Sequence, residues 1–238
     1  MSLVPHYRNA VVLRTAGTLL DVQFQCTATA LTFLHRFFRA VPVGKYDDNM
    51  IVAACLFGAA KVEEASIRTA DLLNVLHFLE HHPDDLDPNE VFPELHKPEN
   101  RTKTNSQFLV GEKYYEAKDA LIQMEQTVLR FIQFRVNTDH PHKYALSYCA
   151  SLKASRNVVR STACLLNDCM VYTSLILQVK PEVLGAGAVH LATILEEEPI
   201  ESENWWEVLG FRIAEVEEVG HALMDMMVVV LANGRKQQ

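Results

Sequence analysis

The chain has 238 residues, with 22 Lys and Arg against 30 Asp and Glu, a formal net charge of −8 and a pI near 5.7. That balance excludes a nucleic-acid binder driven by phosphate neutralisation, which needs a basic face. Basic protein partners stay open, because association follows the local field rather than the total charge.

Apolar residues make up 49% of the chain, enough for one large core or two smaller ones. His6, Arg8 and Arg14 interrupt the apolar start, so no signal peptide is expected. Residues 7–20 carry the first helical pattern, with Val12, Ala16 and Leu19 on one side and Leu13 and Leu20 beside them. Residues 21–25 make a turn. Residues 27–40 follow, with Ala30, Phe33, Leu34, Phe37 and Phe38 as the apolar face and His35, Arg36 and Arg39 outside. Val41-Pro42-Val43-Gly44 then breaks the period.

Residues 47–64 read DDNMIVAACLFGAAKVEE. Acidic residues suit the positive end of a helix macrodipole and a lysine suits its last turn. The middle is apolar on all sides and rich in Ala53, Ala54, Gly58, Ala59 and Ala60, so other helices must surround it closely. It is too short and too flanked by charge to span a bilayer. This is the expected central helix of an all-helical domain, and Lys61 is its odd residue.

Residues 68–71 look like a helix start with Thr69 as the cap, leading into Leu72, Leu73, Val75, Leu76 and Leu79. From 81 to 110, Pro83, Pro88, Pro93 and Pro98 punctuate an acidic run that reads as a long surface loop. Within it, Asn100-Arg101-Thr102 fits a glycosylation acceptor by chance. The helical period resumes at Glu112. Leu121, Met124, Val128 and Phe131 form one stripe, and Ile122, Leu129 and Ile132 a second that Glu125 interrupts. A carboxylate on an apolar line is the second odd residue.

Asp139-His140-Pro141-His142 marks a boundary, giving units of 1–138 and 139–238. Beyond it, residues 144–152, 158–179, 181–196, 205–211 and 213–232 are five more helical segments, the last stopped by Asn233-Gly234. Residues 51–64 lie gap-free on 183–196, with Gly185, Ala186, Gly187, Ala188 and Ala192 repeating the small-residue core. Glu196 then matches Glu64 and Thr193 matches Lys61, while Thr27-Ala28 pairs with Thr162-Ala163. Such self-similarity points to a duplicated five-helix unit. The lysine belongs to the first copy alone.

No glycine-rich phosphate loop, GxSxG or HExxH occurs, so neither catalysis by this chain nor a cofactor is expected. His81-His82 and His140-Pro141-His142 come nearest to a metal site. Adjacent histidines point apart on a helix and lack a Cys or His partner at zinc spacing, so no metal site is expected. Cys26, Cys55, Cys149, Cys164 and Cys169 contain no CxxC pair and read as reduced core thiols. Trp205-Trp206 reads as half core and half surface.

Taken together, the duplicated box, the Ala59-Ala60-Lys61-Val62-Glu63-Glu64 helix end and Met124-Glu125-Gln126-Thr127-Val128-Leu129 resemble the cyclin box with its signature lysine and glutamate. Leu34-His35-Arg36-Phe37 and Asp139-His140-Pro141-His142 resemble the transcription-associated branch of the T, K and L types. Residues 67–72, residues 140–144 and Trp205-Trp206 look most like the M type, also called Q. The first helix lacks the docking patch of cell-cycle cyclins, and His35 stands where they carry an aspartate.

The resemblance implies a regulatory subunit, not an enzyme, that binds and activates a cyclin-dependent serine/threonine kinase. That kinase would be of the cyclin-dependent kinase 10 type if the M likeness holds, and otherwise another transcription-type kinase. It implies a nuclear location, with the cytoplasm second, and no direct contact with nucleic acid or membrane. By motif position, Lys61 and Glu125 would bond backbone around the kinase's C helix, with Val62, Glu64, Leu129 and Phe134 beside them. Taken singly, Lys61 is a snorkelling helix-end lysine and Glu125 a surface glutamate; the pair in one five-helix unit favours the kinase reading. A cyclin-box adaptor resembling transcription factor IIB, working without a kinase, is the alternative.

Overall fold

A helix that buries every side of its middle must be enclosed, and that requirement sets the arrangement of the first half. Helix α3 (Asp48–Val62) buries Ile51, Val52, Ala53, Ala54, Cys55, Leu56, Gly58, Ala59 and Ala60. Four helices pack against it: α1 (Tyr7–Leu19), α2 (Phe24–Ala40), α4 (Thr69–His81) and α5 (Glu112–Phe131). The computed structural model describes residues 3–81, 108–198, 200 and 204–234. The Pro-rich stretch at 82–107, with its glycosylation-like triplet, lies outside the described residues.

The chain divides into two units, Pro5–Thr138 and the residues from Asp139 onward, which Val4 joins through its N–H to the Tyr172 carbonyl at 3.1 Å. The second unit contains α6 (Pro141–Ser151), α7 (Arg156–Tyr172), α8 (Pro181–Leu195), α9 (Trp205–Val208) and α10 (Ile213–Gly234). Here α8 takes the central place, burying Leu184, Gly185, Ala186, Gly187, Ala188, Val189, Leu191, Ala192 and Thr193. Helices α6, α7 and α10 pack on it. The fold is all-helical, two tandem five-helix repeats. No strand occurs among the described residues.

Local chemistry explains the helix starts. Asp47 accepts from the Met50 N–H (3.1 Å) and Ser155 from the Val158 N–H (3.2 Å), each satisfying a donor that lacks an intrahelical partner. Pro141 and Pro181 open α6 and α8, where a missing N–H costs nothing. Thr69 is already helical rather than the cap, since the Leu72 N–H bonds back to the Arg68 carbonyl (3.1 Å). Helix α2 begins at Phe24, inside the stretch expected to turn.

The segment expected over 158–179 breaks at Thr173. Its backbone becomes extended, and its hydroxyl donates to the Cys169 carbonyl (2.8 Å) while lying 3.3 Å from the Leu175 N–H. A 3-10 turn at Leu175–Leu177 follows. The apolar pattern continues across this break, so periodicity cannot register it. Beyond α8, α9 is a single turn rather than a helix over 205–211, and α10 runs through Gly234 instead of stopping before it.

Cap geometry shows the duplication and corrects its register. Helix α1 ends with Asp21 left-handed (φ 52°) and the Val22 N–H on the Gly17 carbonyl (3.0 Å). Helix α6 ends with Lys153 at φ 51° and the Ala154 N–H on the Cys149 carbonyl (2.9 Å). Helix α3 ends the same way, with Glu64 at φ 55° and Ala65 N–H to Ala60 (2.8 Å). Helix α8 repeats it with Glu197 at φ 54° and Glu198 N–H to Thr193 (3.2 Å). These are helix ends in which a left-handed residue satisfies the last carbonyls. Glu64 therefore matches Glu197 rather than Glu196, and Lys61 matches Ile194 rather than Thr193. The loop before α8 is one residue longer than the loop before α3, which shifts a gap-free pairing. Thr29 falls opposite Ser161, so the pairing of Thr27-Ala28 with Thr162-Ala163 fails as well.

Helix glycines separate by what a methyl group would meet. At Gly187 a Cβ would lie 2.3 Å from Val219 Cγ1 and 3.2 Å from the Val216 carbonyl; at Gly58 the nearest atom is a Phe33 ring carbon at 3.9 Å. Gly187→Ala should cost about 1–3 kcal/mol through overpacking of α8 on α10. Gly58→Ala should be neutral or stabilise by up to about 1 kcal/mol. Urea denaturation of both variants tests the contrast; equal effects would contradict the packing described.

Candidate functional site

The last turn of α3 and the middle of α5 bring the two odd residues together. Lys61 Nζ lies 2.6 Å from Glu125 Oε1 and 2.8 Å from Oε2. Glu125 is buried on the face α5 turns to α3, its side chain 11% exposed, while that of Lys61 is 54% exposed. A carboxylate taken out of water needs a donor set, and the ammonium supplies it. The same Nζ sits 4.2 Å from the centre of the Phe57 ring, an added attraction of about 0.5–1 kcal/mol at an exposed site. Lys61 thus shields a buried carboxylate and still presents its outer side to solvent.

Glu63, which sequence reasoning grouped with Glu64 as helix-end charge, has a separate task. Its Oε1 accepts from Thr29 Oγ1 (2.6 Å) and its Oε2 from Gln25 Nε2 (2.5 Å). Thr29 Oγ1 also lies 2.9 Å from Thr138 Oγ1. One carboxylate thereby ties the end of α3 to α2 and to the segment after α5. The second unit repeats the device, with the Ser161 hydroxyl donating to Glu196. Its one sequence signal is that Glu63 and Glu196 both stand just after the helix, visible once the register is corrected. What recurs in both copies serves packing. Lys61 does not recur; its counterpart Ile194 is 54% exposed.

The remaining expected residues surround this pair unevenly. Val62, 39% exposed, follows Lys61, and Glu64 is exposed in its left-handed turn. Leu129, half-buried, lies one turn beyond Glu125 on α5. Phe134 is 66% exposed in a turn where both it and Gln133 are left-handed (φ 54° and 57°). Arg36 stabilises this segment, its guanidinium donating to the carbonyls of Arg135 and Asn137. Within the set, Lys61 and Glu125 are linked through their side chains, and the Phe134 N–H donates to the Leu129 carbonyl (2.9 Å).

Other motif residues are structural. Asp139 accepts from the Tyr144 hydroxyl (2.8 Å) and Lys143 Nζ (2.5 Å) at the start of α6. His142 Nε2 lies 3.0 Å from Asn167 Oδ1, and burial pushes its pKa down to about 4. His35 is buried rather than on the outer face of α2; its Nδ1 lies 2.7 Å from His6 Nε2. His6 stacks on Phe38, and burial, helped by His35, pushes its pKa down to about 4. Four cysteines are buried, and Cys26 is pushed up to about 11 by burial and the charge of Glu63. Cys164 is exposed, contrary to its reading as a core thiol. Trp205 is buried and Trp206 partly so. No described helix is long and apolar enough to cross a membrane.

Residues 12–137, the span that holds both Lys61 and Glu125, match the family model for the cyclin N-terminal domain. The chain belongs to the cyclin family. This cyclin is similar to human cyclin-L1, with 26% identity over 211 residues that cover 87% of the chain and 37% of the relative. Mouse cyclin-L2 is 26% identical over 218 residues, 90% of the chain and 39% of the relative. The cyclin thus spans under two-fifths of the length of these curated relatives. A chain in the structure of the CAK complex from Chaetomium thermophilum bound to ATP-gamma-S matches with a TM-score of 0.62 and 17% identity. It covers 93% of this cyclin and 61% of that chain, a likeness of fold.

Two outcomes follow from these side chains. Glu63→Ala should cost about 1–3 kcal/mol by leaving Thr29 and Gln25 without their acceptor, whereas exposed Glu64→Ala should stay within about 0.5 kcal/mol. Equal losses in thermal denaturation would contradict the role given to Glu63. For pH, His6 and His142 are held near 4 in the fold against an ordinary 6.5, so the unfolded chain binds protons that the folded chain refuses. Their contribution is complete above about pH 6.5 and is lost as pH falls through that window toward 4. Urea midpoints should be highest near pH 7.5 and drop at pH 5, and His6→Gln should shrink the drop.

Proposed function

We propose that this cyclin is a regulatory subunit that binds and activates a cyclin-dependent serine/threonine kinase of the transcription-regulating class, and is not itself an enzyme. The observation that carries the reading is the Lys61–Glu125 pair, built across α3 and α5 of the unit that matches the cyclin family. Packing alone gives no account of the lysine, since the second repeat forms its central helix with Ile194 in that place. An ammonium with three donors and a carboxylate with two acceptor oxygens suit backbone carbonyls and N–H groups at an interrupted helix end. Val62, Leu129 and Phe134 add apolar area and Glu64 a flanking charge. The contacting unit is 1–138, with 139–238 as the second box.

Kinase catalysis needs its strand lysine paired with a glutamate on the C helix, so a partner holding that helix inward shifts the population toward the active state. Lys61 and Glu125 are already oriented by each other, which lowers the ordering cost of docking. Similarity to cyclin-L1 and cyclin-L2 supports the transcription-associated branch and a nuclear location. Within that branch the residue likeness to the M (Q) type favours a kinase of the cyclin-dependent kinase 10 type.

Co-purification with candidate cyclin-dependent kinases tests the reading. Lys61→Ala and Glu125→Ala should each weaken capture and activation about 10- to 100-fold, the equivalent of about 1.5–3 kcal/mol. Lys61→Ala, at an exposed position, should keep the helical content of the parent. Unweakened capture in both variants overturns the site. Failure to capture any of these kinases overturns the activator role and leaves the adaptor without a kinase.

A further inference from the structure

Away from that pair, α4 carries a cluster that neither the core nor the proposed kinase contact uses. His77, Glu80 and His81 each offer one ligand atom, and these atoms lie within 4.8 Å of one another. Spacings of three and four residues put all three on one helix face. Sequence reading paired His81 with His82, its neighbour in the chain; the partner that geometry supplies is His77, one turn earlier. The imidazole centres of His77 and His81 are 4.3 Å apart with the rings inclined at 65°.

The hydrogen bond behind His81 is the decisive detail. Its Nδ1 lies 2.8 Å from the His77 carbonyl oxygen, and an oxygen acceptor requires that nitrogen to carry the proton. In the tautomer that carries its proton on Nδ1, Nε2 is the nitrogen that offers a lone pair to a ligand. A backbone carbonyl receiving the other N–H is the support that fixes the tautomer and orientation of metal-binding histidines. Glu80 contributes the anionic oxygen.

We propose that His77, Glu80 and His81 form a binding site for a divalent transition-metal ion of the zinc class. Two imidazoles and a carboxylate suit zinc, copper and nickel, whereas magnesium and calcium prefer oxygen ligands alone. Zinc–nitrogen bonds of about 2.0–2.1 Å place tetrahedral donors about 3.4 Å apart. From within 4.8 Å, that spacing would be reached by rotation of the His77 and Glu80 side chains toward a His81 ring held by its hydrogen bond. With three protein ligands, a fourth position stays open to water. The ion would join successive turns of α4 and stabilise the folded state by mass action. The site stands whether or not the kinase reading does.

Titration of the chelator-stripped, reduced chain with Zn2+ against a chromogenic zinc chelator tests this. One ion per chain should bind. His77→Ala and His81→Ala should each weaken binding at least tenfold, and Glu80→Gln severalfold. Cys164→Ser, removing the exposed thiol, should leave it unchanged. All these positions are half-buried or exposed, and circular dichroism checks that each variant keeps its helices. Absence of saturable binding overturns the proposal. So does uptake that survives both histidine substitutions or is abolished by Cys164→Ser.

Discussion

The structure depends on the enclosure of a helix without a polar face. Once Ile51 through Ala60 are buried on nearly every side, α3 can meet water at its two ends alone. Polar chemistry is therefore confined to those ends. Asp47 supplies the cap at one end, and Lys61 and Glu63 emerge at the other. The burial of small residues also lets α5 approach closely enough for Glu125 to reach the lysine. A hydrophobic constraint thus positions an ionic site.

Within one turn, two acid–partner systems divide the labour. Glu63 is turned inward, held by Thr29 and Gln25, and its analogue Glu196 is held by Ser161 in the second repeat. Lys61 is turned outward over Phe57 and covers Glu125. The inward network recurs wherever the fold needs its central helix tied to its neighbour. Among the described residues, the outward pair appears once. Comparison of two repeats within one chain therefore separates what holds the box together from what the first box adds. The correction of register by one residue makes that separation possible, because it sets Glu63 opposite Glu196 and Lys61 opposite an isoleucine.

Much of this was legible in the sequence because it rests on period and composition. The apolar stripes of α1, α2 and α5, the small-residue core of α3 and α8, and the turn chemistry around Pro42, Gly44 and Pro141 are local properties, and they mark a duplicated helical protein. Lys61 and Glu125 stood out for the same reason, each breaking a local pattern. Residues whose roles depend on distant partners did not. His35 looked outward on the helical wheel but is buried beside His6, the residue just before α1. Cys164 looked like core and is exposed.

By itself the sequence determined the fold class, the two-box organisation and the identity of the two unusual residues, since hydrophobic periodicity and a broken pattern are written along the chain. Tertiary structure decided which groups meet. It joined Lys61 to Glu125, gave Glu63 rather than Glu64 the stapling role, ended α7 at Thr173 through a side-chain bond, and oriented His81 against the His77 carbonyl. Hydrogen-bond geometry and burial are properties of residues brought together in space, and no spacing in the chain encodes them directly.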